Sequence, residues 1–350
     1  DSAEQEEIET SGESKVEKRR RREVKFRITA LLVVLIAVIV VGGCGKSQQS
    51  STTGSKRTSS AHSKTYTLGM SQCNLGEPWR VQMNADVKAA AAKHPELKVI
   101  YKDAQNKTTV QQDQVKEFVN LGVDLIIISP KEARPLTKPV GDAMDAGIPV
   151  IVLDRKIEGD KYTCFIGGDN RKIGEEAGKY MVKLLGGKGR IVELKGLMTS
   201  TPAVERHEGF MKGIKGSQIK IIFDADCHWL EPDAQKEMAS ALSRFPEADA
   251  IDAVYAHNDP SAHGAYIAAK NEGKGREKKI KFIGIDALPH EGVRYVKEGL
   301  MTATFQYPTG GAEAIDSALK ILKGEKVEKN IILGTRVFTK ENAEKGGEAL

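Results

Sequence analysis

Short apolar segments alternate with helical segments along the chain from Lys64 to Leu350, and this alternation restricts the fold more than any other feature. YTLGMSQ at 66–72 predicts a strand, EPWRVQMNADVKAAAAKHP at 77–95 a helix, and LKVIYKDA at 97–104 the next strand. Strands separated by helices form parallel sheets that the helices cover on both faces. About ten strands follow from the pattern, which runs twice and is too long for one ordinary sheet. We therefore predict an α/β fold of two lobes, each built on a parallel sheet.

The first 43 residues carry the pattern of an export signal. A basic stretch ends at Arg27, and Ile28–Val41 is apolar apart from Thr29. This run is shorter than the roughly 20 residues of a transmembrane helix and is typical of a secretory signal. The sequence Val41-Gly42-Gly43-Cys44 resembles a bacterial lipobox, which implies cleavage before Cys44 and lipidation of its thiol. An uncleaved anchor helix is the alternative. Both predict a protein of the periplasm or cell surface that is anchored to the membrane.

Residues 44–63 are predicted to be a flexible tether. The stretch QQSSTTGSKRTSSAHS at 48–63 is rich in Ser and Thr and has no apolar pattern. The folded part is therefore expected to begin near Lys64. The chain of 350 residues contains 53 basic and 48 acidic residues, a formal net charge of +5. So small an excess does not favour a nucleic-acid partner.

The cysteines and histidines do not predict a metal centre. Cys73, Cys164 and Cys227 are an odd number for a disulfide framework and lack metal-ligand spacing. Buried free thiols are predicted, and one disulfide plus one thiol is left open. His257 and His263 have no carboxylate at the spacing that a metal site needs.

One pair of residues raises the possibility of an enzyme. Tyr266 and Lys270 match the Y-x-x-x-K pair of short-chain dehydrogenases. However, no G-x-G-x-x-G follows the first strand, where the pyrophosphate of a dinucleotide would need close backbone approach. We predict a binding protein without catalytic activity, metal or cofactor.

The stretch VYAHNDPSAHGAYIAAK at 254–270 shows where a binding site is expected. An apolar strand stops at His257-Asn258-Asp259, and a proline and small residues then begin a helix. In open parallel sheets, ligands bind beyond the carboxyl ends of the strands. Other predicted strands also end in, or are soon followed by, polar or aromatic residues. The candidates found in this way are Trp79, Ser129, Asp154, Arg155, Arg206, Trp229, Asn258, Asp286 and Gln306.

These residue types together favour a neutral, hydroxyl-rich ligand. A hydroxyl both donates and accepts hydrogen bonds, so a carboxylate can take its proton while a guanidinium or an amide donates to its oxygen. Such charged hydrogen bonds are each worth about 1.5–3 kcal/mol. The apolar C–H faces of a sugar ring suit a tryptophan wall. The inventory therefore predicts a monosaccharide or a polyol.

From Lys64 to its end, the sequence resembles the periplasmic sugar-binding proteins of ABC importers, of the ribose- and galactofuranose-binding type. The resemblance rests on strings that occur in order: GMSQ, PWR, VDLIIISP, IPVIVLDR, GGDN, VELKG, ERHEGF, VYAHND, IGIDALP and TFQYP. It implies the type I fold of periplasmic binding proteins, in which two Rossmann-like lobes close on a solute. It also implies an ABC importer permease as partner and a monomeric state.

The resemblance implies where the chain passes between the lobes. Three crossings form the hinge, near Gly167-Gly168, near Gln306 and near 334–336. The expected N-terminal lobe comprises 64–168 and 307–334, and the expected C-terminal lobe comprises 169–306 and 335–350.

The resemblance also implies that each candidate contacts the solute. The matching positions are the aromatic residues Trp79 and Trp229, the charged residues Arg80, Asp154, Arg155, Arg206 and Asp286, and the polar residues Ser129, Asn258 and Gln306.

Three features depart from the ribose-binding type. Arg80 replaces an aromatic residue, CNLGE adds length before Pro78, and Val204 stands where ribose binders often have Arg. They favour the galactofuranose type, with another glycone or an inositol left open.

Two other functions remain: a sensor that presents sugar to a membrane receptor kinase, and an effector domain of the lac repressor type. The latter needs a helix-turn-helix ahead of the core, where residues 1–63 have an apolar run and a polar tether.

Overall fold

The computed structural model describes residues 64–350. The predictions for the leader, for Cys44 and for the tether lie outside these residues. Within the described range, no helix combines the length and the apolar character needed to cross a bilayer. The thiols of Cys73, Cys164 and Cys227 are free and buried, as predicted.

The first lobe is built on a sheet of parallel strands. In chain order these strands are β1 (Tyr66–Gln72), β2 (Leu97–Asp103), β3 (Leu125–Ser129), β4 (Val150–Leu153), β5 (Cys164–Gly168) and β11 (Asn330–Leu333). Across the sheet the order is β11-β5-β4-β3-β1-β2, and all neighbours are parallel. The central strands β3 and β4 are buried along their whole length, because their runs of Ile, Val and Leu face helices on both sides of the sheet.

The second lobe is built on the other sheet. Its strands are β6 (Lys188–Lys195), β7 (Gln218–Asp226), β8 (Ala253–Ala256), β9 (Lys281–Asp286), β10 (Ala303–Gln306), β12 (Arg336–Thr339) and β13 (Glu348–Ala349), in the order β13-β12-β10-β9-β8-β6-β7. This sheet departs from a wholly parallel one, because β12 is antiparallel to both β10 and β13. The chain enters β12 from the end at which β10 finishes, so β12 must run in the opposite direction.

Helices cover the sheets. In the described part of the chain they are α1 (Pro78–Ala91), α2 (Thr108–Leu121), α3 (Ala133–Asp145), α4 (Asn170–Leu184), α5 (Thr201–Gly213), α6 (Glu231–Arg244), α7 (Asp259–Asn271), α8 (Gly292–Lys297) and α9 (Gly311–Leu322), with short 3-10 turns at Arg276–Lys278 and Ala343–Lys345. Four of them carry a proline in the first turn, where a missing backbone N–H costs no hydrogen bond. The segment NIILGTRVFT at 330–339 contains β11 and β12, which belong to different sheets.

The chain passes from one sheet to the other three times. It leaves the first sheet after β5, returns after β10, and leaves again between β11 and β12. This strand order supports lobe boundaries near 168, 306 and 334, which remain predictions.

Four glycines bring helices α4 and α5 close together. A Cβ atom on Gly174 would lie 2.2 Å from the carbonyl oxygen of Arg206, and one on Gly209 would lie 2.1 Å from that of Arg171. One helical turn further along, Cβ atoms on Gly178 and Gly213 would lie 2.7 Å and 2.3 Å from carbonyl oxygens of the facing helix. The two backbones can therefore pack without intervening side chains, and this contact fixes the position of Arg206.

Candidate functional site

A cavity lies where the carboxyl ends of the two sheets face each other. Its open volume is about 20 Å³, which is room for about one water molecule, so the side chains close almost completely around this point. Both lobes contribute to its walls. The lining residues are Glu77, Trp79, Arg80, Asp154, Arg155, Pro202, Arg206, Trp229, Asn258, Asp286 and Tyr307. Eight of the ten predicted residues are in this set, and Ser129 and Gln306 are not.

Arg80 organises the wall of the first lobe. Its guanidinium donates to Gln72 Oε1 at 3.1 Å, to Ser129 Oγ at 2.8 Å and to Asp154 Oδ2 at 2.9 Å. The Ser129 hydroxyl itself donates to Asp154 Oδ2 at 3.1 Å. Ser129 therefore lies behind Arg80 and Asp154 and holds them in place, rather than lining the cavity as predicted.

Asp154 is a buried carboxylate whose charge is well compensated. Burial by itself would raise the pKa of Asp154, but the guanidinium groups of Arg80 and Arg155 and its hydrogen bonds outweigh burial and lower that pKa. The group is therefore ionised at neutral pH, and it can accept a hydrogen bond from a hydroxyl of the ligand.

Arg155 is held by a backbone carbonyl oxygen rather than by the carboxylate of Asp154. Its guanidinium donates to the carbonyl oxygen of Lys131 at 2.9 Å and lies 5.4 Å from the ring of Trp229. Its Nε lies 3.8 Å from Asp154 Oδ2 and has no hydrogen-bond partner among residues 64–350. A buried N–H without a partner is costly, so this atom is available to an acceptor on the ligand.

Arg206 and Asp286 form the charged part of the second-lobe wall. Arg206 donates through Nε to Asn170 Oδ1 at 2.9 Å and through Nη1 to the carbonyl oxygen of His257. The carboxylate of Asp286 is 3.9 Å from Arg206 Nη1, which is too far for a hydrogen bond. Burial raises the pKa of Asp286 well above its ordinary value; the charge of Arg206 opposes this shift, and that of Asp259 adds to it.

The two tryptophans are less exposed to a ligand than the sequence suggested. The ring of Trp79 stacks on Tyr307, with centroids 5.1 Å apart, and its indole N–H donates to the Tyr307 carbonyl oxygen at 2.7 Å. The ring of Trp229 has the guanidiniums of Arg155 and Arg206 each 5.4 Å away. The indole N–H of Trp229 is buried without a partner in the described part of the chain, which adds a second unpaired donor at this cavity.

Asn258 is committed to the fold as well as to the cavity wall. Its Oδ1 accepts a hydrogen bond from the Ser261 backbone N–H at 3.1 Å, so the side chain caps helix α7. Its Nδ2 donates to the Trp229 carbonyl oxygen at 3.0 Å. The amide at the end of β8 thus begins the helix and fixes the Trp229 loop.

Gln306 points away from the cavity. It lines a separate groove of about 550 Å³, whose wall also includes Gln82 and Asp86 on α1. The next residue, Tyr307, takes the place in the cavity that the sequence assigned to Gln306. Successive side chains of an extended segment point to opposite sides, so a one-residue error changes which of them meets the ligand.

Sequence reasoning also missed Glu77 and Pro202. Glu77 lies one turn before Arg80, and its Oε2 is 3.5 Å from Arg80 Nε. Its position just ahead of the Trp79-Arg80 pair was the only available signal.

Three residues of the cavity wall have strained backbones. Asp154, Trp229 and Asp286 have φ angles of 70°, 72° and 128°, a region that side chains other than glycine rarely adopt. Residues in such conformations cluster at functional sites, where the surrounding structure enforces them. Within residues 64–350, no group of three or more His, Cys, Asp or Glu side chains could hold a metal ion.

Comparison with known proteins agrees with this architecture. Residues 68–326 match the family model described as "Periplasmic binding protein domain". The ribose import binding protein RbsB of Bacillus subtilis is 29% identical over 289 residues, which are 82% of this chain and 92% of that protein. The galactofuranose-binding protein YtfQ of Escherichia coli is 31% identical over 294 residues, 82% of this chain and 92% of that protein.

A solved structure is more similar still in sequence. The fructose-binding periplasmic domain of a hybrid two-component system is 44% identical, with a TM-score of 0.77, over 80% of this chain and 93% of that domain. The predicted fold and the predicted resemblance are confirmed: this chain belongs to the periplasmic binding protein domain family.

Proposed function

We propose that this chain is an extracytoplasmic solute-binding protein that captures a monosaccharide or a polyol between its lobes and delivers it to an ABC importer. The observation that carries the proposal is the mixture of hydrogen-bond donors and acceptors in the cavity. Three guanidinium groups (Arg80, Arg155 and Arg206) and three carboxyl groups (Glu77, Asp154 and Asp286) line it. Guanidinium groups donate and carboxyl oxygens accept hydrogen bonds, so together they match the hydroxyl groups of a neutral ligand.

The unpaired atoms at the cavity indicate how such a ligand binds. The buried N–H groups without a partner, Arg155 Nε and the indole of Trp229, can donate to hydroxyl oxygens. The carboxyl group of Asp286, 3.9 Å from Arg206 Nη1, can accept from hydroxyl groups. A ligand that lacks one of these hydroxyls leaves a buried group unpaired, which lowers its affinity strongly. Recognition of this kind needs no catalytic group, and we propose binding without catalysis.

Contacts between the lobes at the cavity rim support capture by closure. The backbone N–H of Lys156 donates to Thr201 Oγ1 at 3.0 Å, and Lys156 Nζ lies 3.1 Å from Glu205 Oε1. The Thr199 hydroxyl donates to Glu132 Oε1 at 2.9 Å. These contacts join the proposed lobes, so they stabilise a closed cleft and shift the equilibrium between open and closed states toward closure.

A thermal-shift screen of residues 64–350 against sugars and polyols tests the proposal. At a ligand concentration one hundred times Kd, binding stabilises a protein by about 2.7 kcal/mol, or about 5–10 °C in Tm for a domain of this class.

Arg206→Ala should lose about 2–5 kcal/mol of binding free energy, because a buried charged contact is removed. Exposed Arg294→Ala is the control. Stabilisation by no member of the panel would contradict the proposal.

A sensor role is the second candidate, and the 44% identity to a domain of a hybrid two-component system favours it specifically. The ligand site is the same in both cases, and only the membrane partner differs. Crosslinking of the full chain in native membranes, with and without ligand, distinguishes them: an importer component predicts a transmembrane permease in the adduct, and a sensor predicts a receptor kinase.

We also propose that Cys44 anchors the protein to the membrane through a lipid. The support is the Val41-Gly42-Gly43-Cys44 sequence after an apolar run. Cys44→Ser should release the protein into the soluble fraction, and Cys164→Ser, which alters a buried thiol of the folded part, is the control. Unchanged membrane partition of Cys44→Ser would favour the uncleaved anchor helix instead.

A further inference from the structure

Asp259 is a fully buried carboxylate that does not line the cavity. It is the first residue of α7, directly after the capping residue Asn258. Its Oδ2 accepts the backbone N–H of Ala287 at 2.7 Å, and its Oδ1 accepts the hydroxyl of Thr304 at 2.6 Å. The carboxylate therefore joins the start of α7 to the turn after β9 and to β10.

Two glycines make room for this carboxylate. A Cβ atom on Gly292, the first residue of α8, would lie 1.8 Å from Asp259 Oδ2, and one on Gly284, in β9, would lie 2.3 Å from Asp259 Oδ1. Atoms in a packed interior do not approach so closely, so a side chain at either position would displace the carboxylate. The surrounding backbone thus keeps Asp259 in the position from which it reaches both donors.

The peptide that joins Asp286 to Ala287 is held at both of its polar groups. Its N–H donates to Asp259 Oδ2 at 2.7 Å, and its carbonyl oxygen accepts the backbone N–H of Tyr307 at 3.2 Å. The φ angles of Asp286 and Ala287 are 128° and 55°, a region that residues other than glycine rarely adopt. Such a conformation persists only where neighbouring groups enforce it, and Asp259 supplies one of the two hydrogen bonds that hold this peptide.

The carboxyl group of Asp286 depends on this backbone for its direction. Asp286 lines the cavity, yet within residues 64–350 its carboxyl oxygens have no hydrogen-bond donor, and Arg206 Nη1 is 3.9 Å away. The rotamers open to a side chain depend on its own backbone angles. A change in the peptide after Asp286 should therefore move the carboxyl group from its place in the cavity wall.

The charges of the two carboxyl groups also act on each other. Burial raises the pKa of Asp259 to about 8, although the hydrogen bonds from Thr304 and Ala287 oppose this shift. Burial likewise raises the pKa of Asp286, and the negative charge of Asp259 adds to that shift. The other charged groups that act on the pair are Arg206 on α5, Glu291 ahead of α8 and Glu77 ahead of α1. Removal of the Asp259 charge should therefore lower the pKa of Asp286.

We propose that Asp259 is a positioning residue for solute binding, which holds the strained peptide after Asp286 so that the Asp286 carboxyl group faces the cavity. The inference rests on the proposed function and deepens it, because Asp259 acts on the solute only through Asp286.

Hydrogen exchange tests the hold on this peptide without any ligand. The exchange rate of the Ala287 backbone N–H is measured on the full chain and on Asp259→Ala, which removes both acceptor oxygens. Exchange should be at least about tenfold faster in Asp259→Ala, because the N–H loses its partner. Asp259→Asn should exchange at nearly the wild-type rate, since its amide can accept from Ala287 and donate to Thr304.

Calorimetry on the full chain measures the consequence for binding. The probes are D-fructose, D-ribose, D-galactose and myo-inositol, and the one that the wild type binds most tightly is used for every variant. Asp259→Ala should bind it at least about tenfold more weakly, whereas Asp259→Asn should bind it at least about half as tightly as the wild type.

Asp124→Ala is the matched control and should leave the affinity unchanged. Asp124 Oδ2 also accepts a backbone N–H from a distant residue, that of Thr67 at 2.7 Å. However, Asp124 directly precedes β3 and so lies at the edge of the sheet away from the cavity.

The pH profile of binding distinguishes positioning from a purely structural role. Hydroxyl donors favour ionised Asp286, so wild-type affinity should rise with pH toward the raised pKa of Asp286. In Asp259→Asn this rise should occur at lower pH, because the pKa of Asp286 is lower without the neighbouring charge. A substitution that only loosened the fold would leave the rise where it is.

A second variant keeps the inference testable if Asp259→Ala does not fold. Thr304→Val removes one of the two donors to Asp259, and it should change exchange and affinity in the same directions by about threefold.

Two kinds of outcome contradict different statements. If Thr304→Val and every folded Asp259→Ala sample keep the wild-type exchange rate or the wild-type affinity, the inference about Asp259 is overturned while the proposed function stands. A pH profile of Asp259→Asn that coincides with that of the wild type overturns it as well. If the wild type binds none of the probes, the proposed function is contradicted, and the inference falls with it.

Discussion

Replacement of Asp286 by asparagine should make the ligand-free protein more stable and the ligand complex weaker. The carboxylate of Asp286 is 7% exposed and has no hydrogen-bond donor within residues 64–350, and its nearest cation is 3.9 Å away. A buried polar group left without a partner costs about 1–3 kcal/mol. Asp286→Asn keeps the shape and removes the ionisation that burial disfavours, so above the ordinary carboxyl pKa it should raise Tm by about 2–4 °C for each kcal/mol recovered.

The effect on binding should have the opposite sign. A hydroxyl-rich ligand donates to the carboxylate, and loss of such a buried charged contact costs about 2–5 kcal/mol, or about 30-fold to several thousandfold in Kd. The opposed changes follow from one cause: Asp286 lacks a partner until the ligand supplies it.

The pH dependence provides an independent check. The pKa of Asp286 is raised in the folded protein, so the native state binds more protons than the unfolded state, and stability falls as pH rises from the ordinary carboxyl pKa toward the raised one. Hydroxyl donors favour the ionised form, so ligand binding should release protons through Asp286. Calorimetry in buffers of different ionisation enthalpy measures this release, which Asp286→Asn should reduce. Unchanged Tm together with affinity within twofold of the wild type would refute the reasoning.

Three further predictions concern the surroundings of the site. Lys156→Ala should weaken ligand binding up to about fivefold, because a partly exposed ion pair across the cleft is worth at most about 1 kcal/mol. Lys161→Ala, which removes a pair within the first lobe, should leave calorimetric affinity unchanged. Equal effects of the two substitutions would contradict a role of the Lys156–Glu205 pair in closing the cleft. Burial by itself would raise the pKa of Glu193, but hydrogen bonds from His207 and His257 lower it to about 2. Ionised Glu193 should therefore stabilise the fold above its ordinary pKa, and this contribution should be lost as pH falls toward about 2. The free energy of unfolding of Glu193→Gln in urea should be lower than that of the wild type at pH 7, and it should change less with pH between the ordinary pKa and about 2. Gly174→Ala should destabilise the protein by about 1–3 kcal/mol and weaken ligand binding, because its Cβ would meet the Arg206 backbone at 2.2 Å. Gly141→Ala, on α3 and facing only the Lys161 side chain at 3.4 Å, is the stability control, and equal denaturation midpoints would refute the close-packing argument.

The unlike pKa shifts of the two histidines on Glu193 have a physical reason. Both bond to the same carboxylate, yet the pKa of His257 is lowered and the pKa of His207 is raised. His257 is fully buried, so desolvation of the imidazolium exceeds the attraction of Glu193. His207 is about one-third exposed, and its hydrogen bond to Glu193 prevails. His207 is therefore the imidazole of this cluster that binds a proton more readily.

The sequence by itself determined the class of fold and the place of the site. Alternation of apolar runs such as LIIIS and VIVL with helices leaves little choice except parallel sheets covered on both faces. Polar residues at the ends of parallel strands then meet at one edge, which is why Asp154 and Asp286 could be predicted from the sequence. These arguments depend only on the spacing of apolar and polar residues along the chain, which can be read from the sequence.

Only the tertiary structure decided which atoms of those residues remain available to a ligand. Asn258 uses its amide to cap α7, Ser129 supports Arg80 from behind, and Tyr307 rather than Gln306 faces the cavity. Each outcome depends on the direction of a side chain and on a partner distant in the chain; the hydroxyl of Tyr307 meets a carboxylate 153 positions away. Such pairings are set by how the two lobes pack and where the chain crosses between them, and no local pattern of residues encodes them.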